Sequence, residues 1–407
     1  MRPRRCALPW PFANTSGKAD REPLSLDCCR MKNDPSLLVI AGEVSGDMHA
    51  ASLLHAIKSI TPGVKCFGVG GDRLREEGAE ILYHASDMAA LGFAEVIPKL
   101  SFFRRVFRNL AREAAERRPD AVLLVDYPGF NLRFAEHAHK LGLKVIYYIC
   151  PQVWAWHRSR IPKMAEVIDR LIAIFPFEPD VFAQTGLRVD YVGHPLVDEA
   201  ARIDPVGARD IPWQSDARIA LLPGSRRQEI LRILPSFCRA AQIIAKTRPE
   251  ADFIVAAPSD GVAEVVKSCL ARFKAPRFAV VVGRTRHVLR SASAALVASG
   301  TATLEAALMK CPMVVSYKVA PLNYFFLSRL VSTPHIGMVN IVAGARICPE
   351  LVQNEATPQA LARHLMPLID DSAARRQMIL AFEGFAARLG PSGSHERAAR
   401  IVLDEIG

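Results

Sequence analysis

A chain of 407 residues exceeds what one hydrophobic core usually supports, so its length calls for two domains. Half of its residues are apolar, which excludes a largely disordered protein, and no apolar run reaches the roughly 18 residues of a membrane-spanning helix. The formal net charge of +11 asks for an acidic partner: nucleic acid, an anionic lipid surface or a phosphorylated small molecule. The nine scattered cysteines imply neither a disulfide framework nor a zinc site.

Residues 1–33 carry prolines and charges without a helix or strand period and are expected to form a disordered extension, with Met31 a candidate start. Leu37–Ala41 (LLVIA) is the first buried-strand run, and AGEVSGD then opens directly into a helix. The spacing is not Gly-x-Gly-x-x-Gly, and the carboxylates of Glu43 and Asp47 would repel a phosphate. Glu43, Ser45 and their neighbours therefore suit the hydroxyls of a sugar acceptor. After the strand CFGVG, the loop GVGGDRL reads as a tight turn. KLSFFRRVFRNLAREAAERR then places Phe103, Val106, Phe107 and Leu110 on one helical face, with Arg104, Arg105, Arg108 and Arg112 to flank it. Such a helix suits an anionic membrane surface, although packing on a core is the commoner fate of the pattern.

Asp126 ends the next apolar strand, AVLLVD, and is followed by a residue that Pro128 biases toward extended geometry. A carboxylate projecting from a strand end into a cleft can take a proton from a sugar hydroxyl, or it can cap a helix beginning near Asn131. KVIYYI leads into CPQVWAWH, whose Trp154 and Trp156 do not share a helix face, so at least one is expected to be exposed as a sugar platform or lid. RLIAIF is the fifth run. His157 and His194 read as satisfied histidines more readily than as catalytic ones.

After VDYVGHPLVDEA the chain turns polar and proline-containing near residue 205. The alternation then restarts with RIALLP, DFIVAA, FAVVV, AALVA and MVVSY, separated by helices such as that of Gln228 to Lys246. This is the pattern of two doubly wound parallel sheets with a ligand cleft at the C-terminal ends of their strands. In LLPGSRR, Ser225 and Arg226 stand where a strand feeds a helix, suited to a diphosphate. In SGTATLE, Ser299, Gly300 and Thr301 offer hydroxyls and free backbone N–H groups to an anion, and Glu305 suits the diol of a ribose. An ordinary helix cap with a solvated glutamate fits the same residues. PLNYFFLSRLV is a second apolar candidate for membrane contact.

AGEVSGD, GVGGDRL, LGFAEVI, VDYPGFN, PQVWAW, VGHPLVD, LLPGSR, SGTATLEAAL and VNIVAGARICPELVQ follow one another from about residue 38 to 355. Together they resemble the lipid-A-disaccharide synthase family of inverting glycosyltransferases. The resemblance implies an α/β GT-B fold of two Rossmann-like domains: residues 34–205 on the acceptor and membrane side, 206–385 binding the UDP-sugar, and 386–407 as a C-terminal helix packing back on the first domain. It implies transfer from UDP-2,3-diacylglucosamine to the 6-hydroxyl of 2,3-diacylglucosamine 1-phosphate, at the cytoplasmic face of a Gram-negative inner membrane. No nucleic acid is expected as a partner, and oligomer formation stays open.

By motif, Asp126 would be the general base, with Glu43 and Ser45 on the acceptor side. Ser225, Arg226, Ser299, Gly300 and Thr301 would hold the diphosphate, Glu305 the ribose, and Asn340 would line the donor site. No cofactor and no metal are expected. The chain lacks an Asp-x-Asp triplet, so arginine and backbone N–H groups would have to neutralise the leaving diphosphate. Other UDP-sugar enzymes of this architecture, such as a UDP-N-acetylglucosamine 2-epimerase or a murein-precursor transferase, are disfavoured by VDYPGFN and PQVWAW. A basic lipid- or nucleic-acid-binding protein without catalysis would leave SGTATLE without a role.

Overall fold

The computed structural model describes residues 34–88, 93–204, 206–274, 276–319 and 333–407. The expected extension 1–33 and the segment PLNYFFLSRLV lie outside the described residues.

Short apolar runs form the strands of two sheets, all of them parallel. The first contains β1 (Ser36–Ala41), β2 (Lys65–Gly70), β3 (Glu80–His84), β4 (Ala121–Val125), β5 (Lys144–Tyr148), β6 (Arg170–Ala173) and β7 (Arg188–Tyr191), in the order β3-β2-β1-β4-β5-β6-β7. The second contains β8 (Arg218–Leu222), β9 (Asp252–Ala257), β10 (Phe278–Val282), β11 (Ala294–Ala298), β12 (Met313–Tyr317) and β13 (Glu350–Val352), in the order β10-β9-β8-β11-β12-β13. Helices connect these strands, since a parallel pair needs a crossover. β3, β7 and β13 sit at sheet edges, where only part of a strand is buried. Their mixed composition (EILYH, RVDY, ELV) hides them from a reading that looks for apolar runs.

In each sheet the chain winds outward from the first strand, returns, and continues on the other side. The order therefore reverses between β1 and β4 and again between β8 and β11. Loops leaving the two strands of such a switch point diverge to opposite faces and open a crevice. The loops after these four strands are AGEVSGD, DYPGFN, PGSRR and SGTATLE.

Alternating side chains of β1 enter two cores. Leu38 and Ile40 pack with Val106, Leu110 and Phe134, whereas Leu37 and Val39 pack with Leu53, Leu54 and Ile57. The arginine-flanked segment is part of the helix Phe93–Arg117, whose proposed apolar face is split: Val106 and Leu110 are in the core, while Phe103 and Phe107 stay half-buried. The last helix, Ser394–Ile406, packs on the helix Val44–Ile60 beside the first sheet. Asp198 anchors its start by accepting from Gly393 N at 2.6 Å and Ser394 Oγ at 2.8 Å. No helix among the described residues is long and apolar enough to cross a membrane.

Candidate active site

Asp126 directly follows β4 and adopts a left-handed backbone (φ 47°), as does Tyr127 (φ 51°). The extended geometry expected before Pro128 does not occur, and the following helix begins at Pro128 rather than near Asn131. Two consecutive non-glycine residues in this region cost on the order of 1–3 kcal/mol each, so neighbours must fix them. Tyr147 Oη donates to Asp126 O at 2.6 Å, and the fully buried Asn131 donates its amide to the carbonyls of Asp126 (2.7 Å), Ile40 (3.2 Å) and Val125 (3.3 Å). The Tyr127 ring lies over Gly42, where a Cβ would come within 2.4 Å of it, so β1 must end in glycine here. These contacts fix the backbone at the end of β4, and the half-buried Asp126 carboxyl does not cap the Pro128–Lys140 helix.

Burial, followed by the nearby charge of Glu43, pushes the Asp126 carboxyl up to about 6. Glu43 itself is exposed at the start of the Val44–Ile60 helix, with exposed Ser45 two residues on. Their neighbour Asp47 turns inward instead, accepting from Gly71 N (2.6 Å) and Leu74 N (3.2 Å). One acid of AGEVSGD thus faces the crevice, and the other staples the GVGGDRL turn.

In the second sheet, β8 runs through Pro223 and Gly224 into exposed Ser225 and Arg226, the latter at the N-cap of the helix Arg227–Thr247. Gly224 has φ 106°, a conformation suited to glycine, and a Cβ there would press on Glu229 at 2.7 Å. Among the described residues Arg226 has a single loose partner, Glu229, at 3.4 Å. The guanidinium and the open end of a long helix thus face the crevice together.

Beyond β11, Ser299 donates its hydroxyl to Ile336 O at 2.9 Å, so its proton is already used. The backbone N–H groups of Gly300 and Thr301 have no acceptor among the described residues, and the exposed Thr301 makes no side-chain cap. Glu305 is not the solvated carboxylate of a plain cap. It is mostly buried and held by Arg286, with Nε at 2.9 Å from its Oε1. Burial raises its pKa from the ordinary value, and Arg286 opposes the shift.

Arg286 itself was missed in the sequence. It stands in GRTR just after β10, a strand-end position of the kind that singled out PGSRR.

Three further residues singled out in the sequence are held inside the fold. Asn340 does not present a group to the crevice: it is fully buried, accepting from Ile347 N (2.8 Å) and Cys348 N (3.1 Å) while donating to Cys348 O (2.9 Å) and Glu350 (2.8 Å). It shapes the loop of VNIVAGARICPELVQ. Trp154 is buried with its indole N–H directed at the Glu178 carboxylate at 3.3 Å, and the side chain of Trp156 lies outside the described residues. His194 is buried, accepts from Leu196 N at 3.1 Å and is pushed down to about 3 by burial, so it stays neutral and structural.

Among the described residues no group of three or more His, Cys, Asp or Glu side chains is arranged to hold a metal ion.

A profile of the family described as Lipid-A-disaccharide synthetase matches residues 37–401. A lipid-A-disaccharide synthase of Anaeromyxobacter dehalogenans is 42% identical over 369 residues, covering 90% of this chain and 96% of that one. Another, of Myxococcus xanthus, is 38% identical over 380 residues, covering 92% and 98%. The crystal structure of the glycotransferase of kitacinnamycin has the same fold, with a TM-score of 0.59 at 16% identity over 92% of this chain and 100% of that one.

Proposed function

The chain belongs to the lipid-A-disaccharide synthase family and is a glycosyltransferase of the GT-B fold. On that premise we propose that it transfers 2,3-diacylglucosamine from its UDP derivative to the 6-hydroxyl of 2,3-diacylglucosamine 1-phosphate. The observation that carries this reading is the Asp126 carboxyl, strained into place at the first switch point and held at about 6. It is ionised at neutral pH, yet far more basic than an ordinary aspartate.

The acceptor oxygen attacks C1 of the donor sugar from the face opposite the diphosphate and gives its proton to Asp126. The new C1–O6 bond forms as the C1–O bond to the β-phosphate breaks, and UDP leaves with the electron pair. Charge grows on the diphosphate during this step, so donors already aimed there lower the barrier. Arg226, Ser225 and the N–H groups of Gly300 and Thr301 fill that role, and Glu305 accepts from the ribose hydroxyls. Ser299 contributes by holding the loop through Ile336. Asn340 and Glu350 support the neighbouring chain in the same way.

Both substrates carry acyl chains, so the enzyme works against the cytoplasmic face of the inner membrane as a peripheral protein. The net charge of +11 and the exposed Arg104, Arg105 and Arg108 support that placement. Mass spectrometry of a reaction with UDP-diacylglucosamine and the acylated 1-phosphate tests the assignment. A disaccharide 1-phosphate plus UDP is expected, and absence of coupling under conditions that retain UDP binding would overturn it.

A further inference from the structure

A cavity of 270 Å³ lies between the helix Pro128–Lys140 and the helix Ile161–Val167, close to the proposed base but outside every role assigned above. Its charged walls are Arg133, Arg160, Lys163 and Glu136, and Leu132 and Met164 supply apolar surface. Three cations against one carboxylate leave an excess of positive charge in a space that suits a small anion. Arg133 and Arg160 are exposed and make no ion pair or side-chain hydrogen bond among the described residues. Lys163 has only the exposed Glu166, at 3.3 Å. Some arginines elsewhere in the chain are matched, as Arg117 is with Glu80 at 2.6 Å and Arg248 with Asp370 at 2.6 Å.

A groove of 990 Å³ adjoins this cavity, walled by Phe103, Phe107, Tyr127 and Phe130, with Arg104 and Arg108 also lining it. Gly129 and Arg133 border both spaces. A Cβ on Gly129 would meet nothing within 4 Å, so no side chain closes the passage at that point. The joint surface is apolar on one side and cationic on the other, which matches a ligand carrying hydrocarbon and phosphate on one small frame. It also starts beside the proposed base: Tyr127 and Pro128 follow Asp126 directly, and Arg133 stands roughly 7.5 Å of helical rise beyond Pro128, within reach of a flexible side chain and one sugar.

We propose that Arg133, Arg160 and Lys163 form the subsite for the anomeric phosphate monoester of the acceptor, with its hydrocarbon in the adjoining groove. The proposal rests on the acceptor reading above. A phosphate monoester carries nearly two negative charges, and guanidinium forks match its oxygens in pairs. Such a clamp fixes which end of the acceptor points away from Asp126, so the 6-hydroxyl is the group left at the base.

The test compares the phosphorylated acceptor with its dephosphorylated counterpart on the wild type and on Arg133→Gln/Arg160→Gln, in neutral detergent micelles and on vesicles containing anionic lipid. The wild type is expected to lose roughly 10- to 100-fold in kcat/KM when the phosphate is removed. The double variant should show a similar loss on the phosphorylated acceptor, almost no further loss on the dephosphorylated one, and an unchanged KM for the UDP-sugar. Equal sensitivity of wild type and variant to the missing phosphate would overturn the subsite. A defect confined to anionic vesicles would assign these residues to membrane headgroups and overturn it equally. Failure of the wild type to couple either acceptor would instead sink the acceptor reading itself. Lys163→Gln alone, expected to give a smaller loss of the same kind, and unchanged melting temperatures separate these outcomes from misfolding.

Discussion

Arg286 Nε donates to Glu305 Oε1 at 2.9 Å, and the same guanidinium reaches the Glu199 carboxylate. One side chain thus ties the helix after β11 to the helix Pro195–Ala201, which follows the first sheet. Glu305 is buried enough that without this partner its charge would be costly. Arg286 therefore favours its charged form and fixes its orientation.

Glu305→Ala is expected to weaken UDP binding by roughly 1.5–3 kcal/mol, the scale of hydrogen bonds to a charged group. Arg286→Gln should weaken it about tenfold although it touches no nucleotide, and the double variant should be little worse than Glu305→Ala alone. Calorimetry with UDP checks this. Additive losses would mean that Arg286 does not act through Glu305.

Asp126→Asn keeps shape while removing the ability to accept a proton, so turnover should fall by about 10²- to 10⁴-fold. UDP affinity should stay within roughly threefold, because the residues proposed to contact the nucleotide follow strands of the second sheet. An Asn variant keeping more than about a tenth of wild-type turnover would remove Asp126 from the mechanism.

The pH profile follows from the same carboxyl. The base acts only when ionised, so kcat/KM should fall as pH drops through about 6, not through the ordinary 3.8. Glu43→Gln deletes a like charge and should move this acid limb to lower pH. The native state holds this proton more tightly than the unfolded chain, so the group's contribution to stability is full below 3.8 and is lost as pH rises through about 6. Asp126→Asn, which cannot ionise, should therefore melt no lower than wild type at pH 8. An acid limb at the same pH in the Glu43 variant would show that burial alone sets it.

Asn340→Ala would leave Ile347 N, Cys348 N and Glu350 without a partner inside the fold. We expect about 2–4 kcal/mol of lost stability. UDP affinity of the folded fraction should change little, and a large loss of affinity with an unaltered denaturation midpoint would restore Asn340 to the donor site.

The sequence by itself determined the central strands, because a parallel strand covered on both faces must be apolar throughout, as LLVIA, AVLLV and AALVA are. It also determined where chemistry collects, because glycine, hydroxyl and charged residues at the ends of apolar runs have no core to enter. Three of the four edge strands, β3, β7 and β13, stayed hidden because their mixed sequences read as loops, whereas the apolar edge strand β10 (FAVVV) was legible.

Only the tertiary structure decided which polar residues of a motif face the crevice. Asp47 and Asn340 look as reactive in sequence as Glu43 and Glu305, but backbone N–H groups of another turn claim Asp47 and those of its own loop claim Asn340. Arg286 gains its role only because the helix Thr285–Ser291, which crosses from β10 back toward β11, packs on the helix Ala302–Leu308 that carries Glu305. Side-chain chemistry and local spacing can be read along the chain, whereas a hydrogen-bond partner dozens of residues away is chosen by packing.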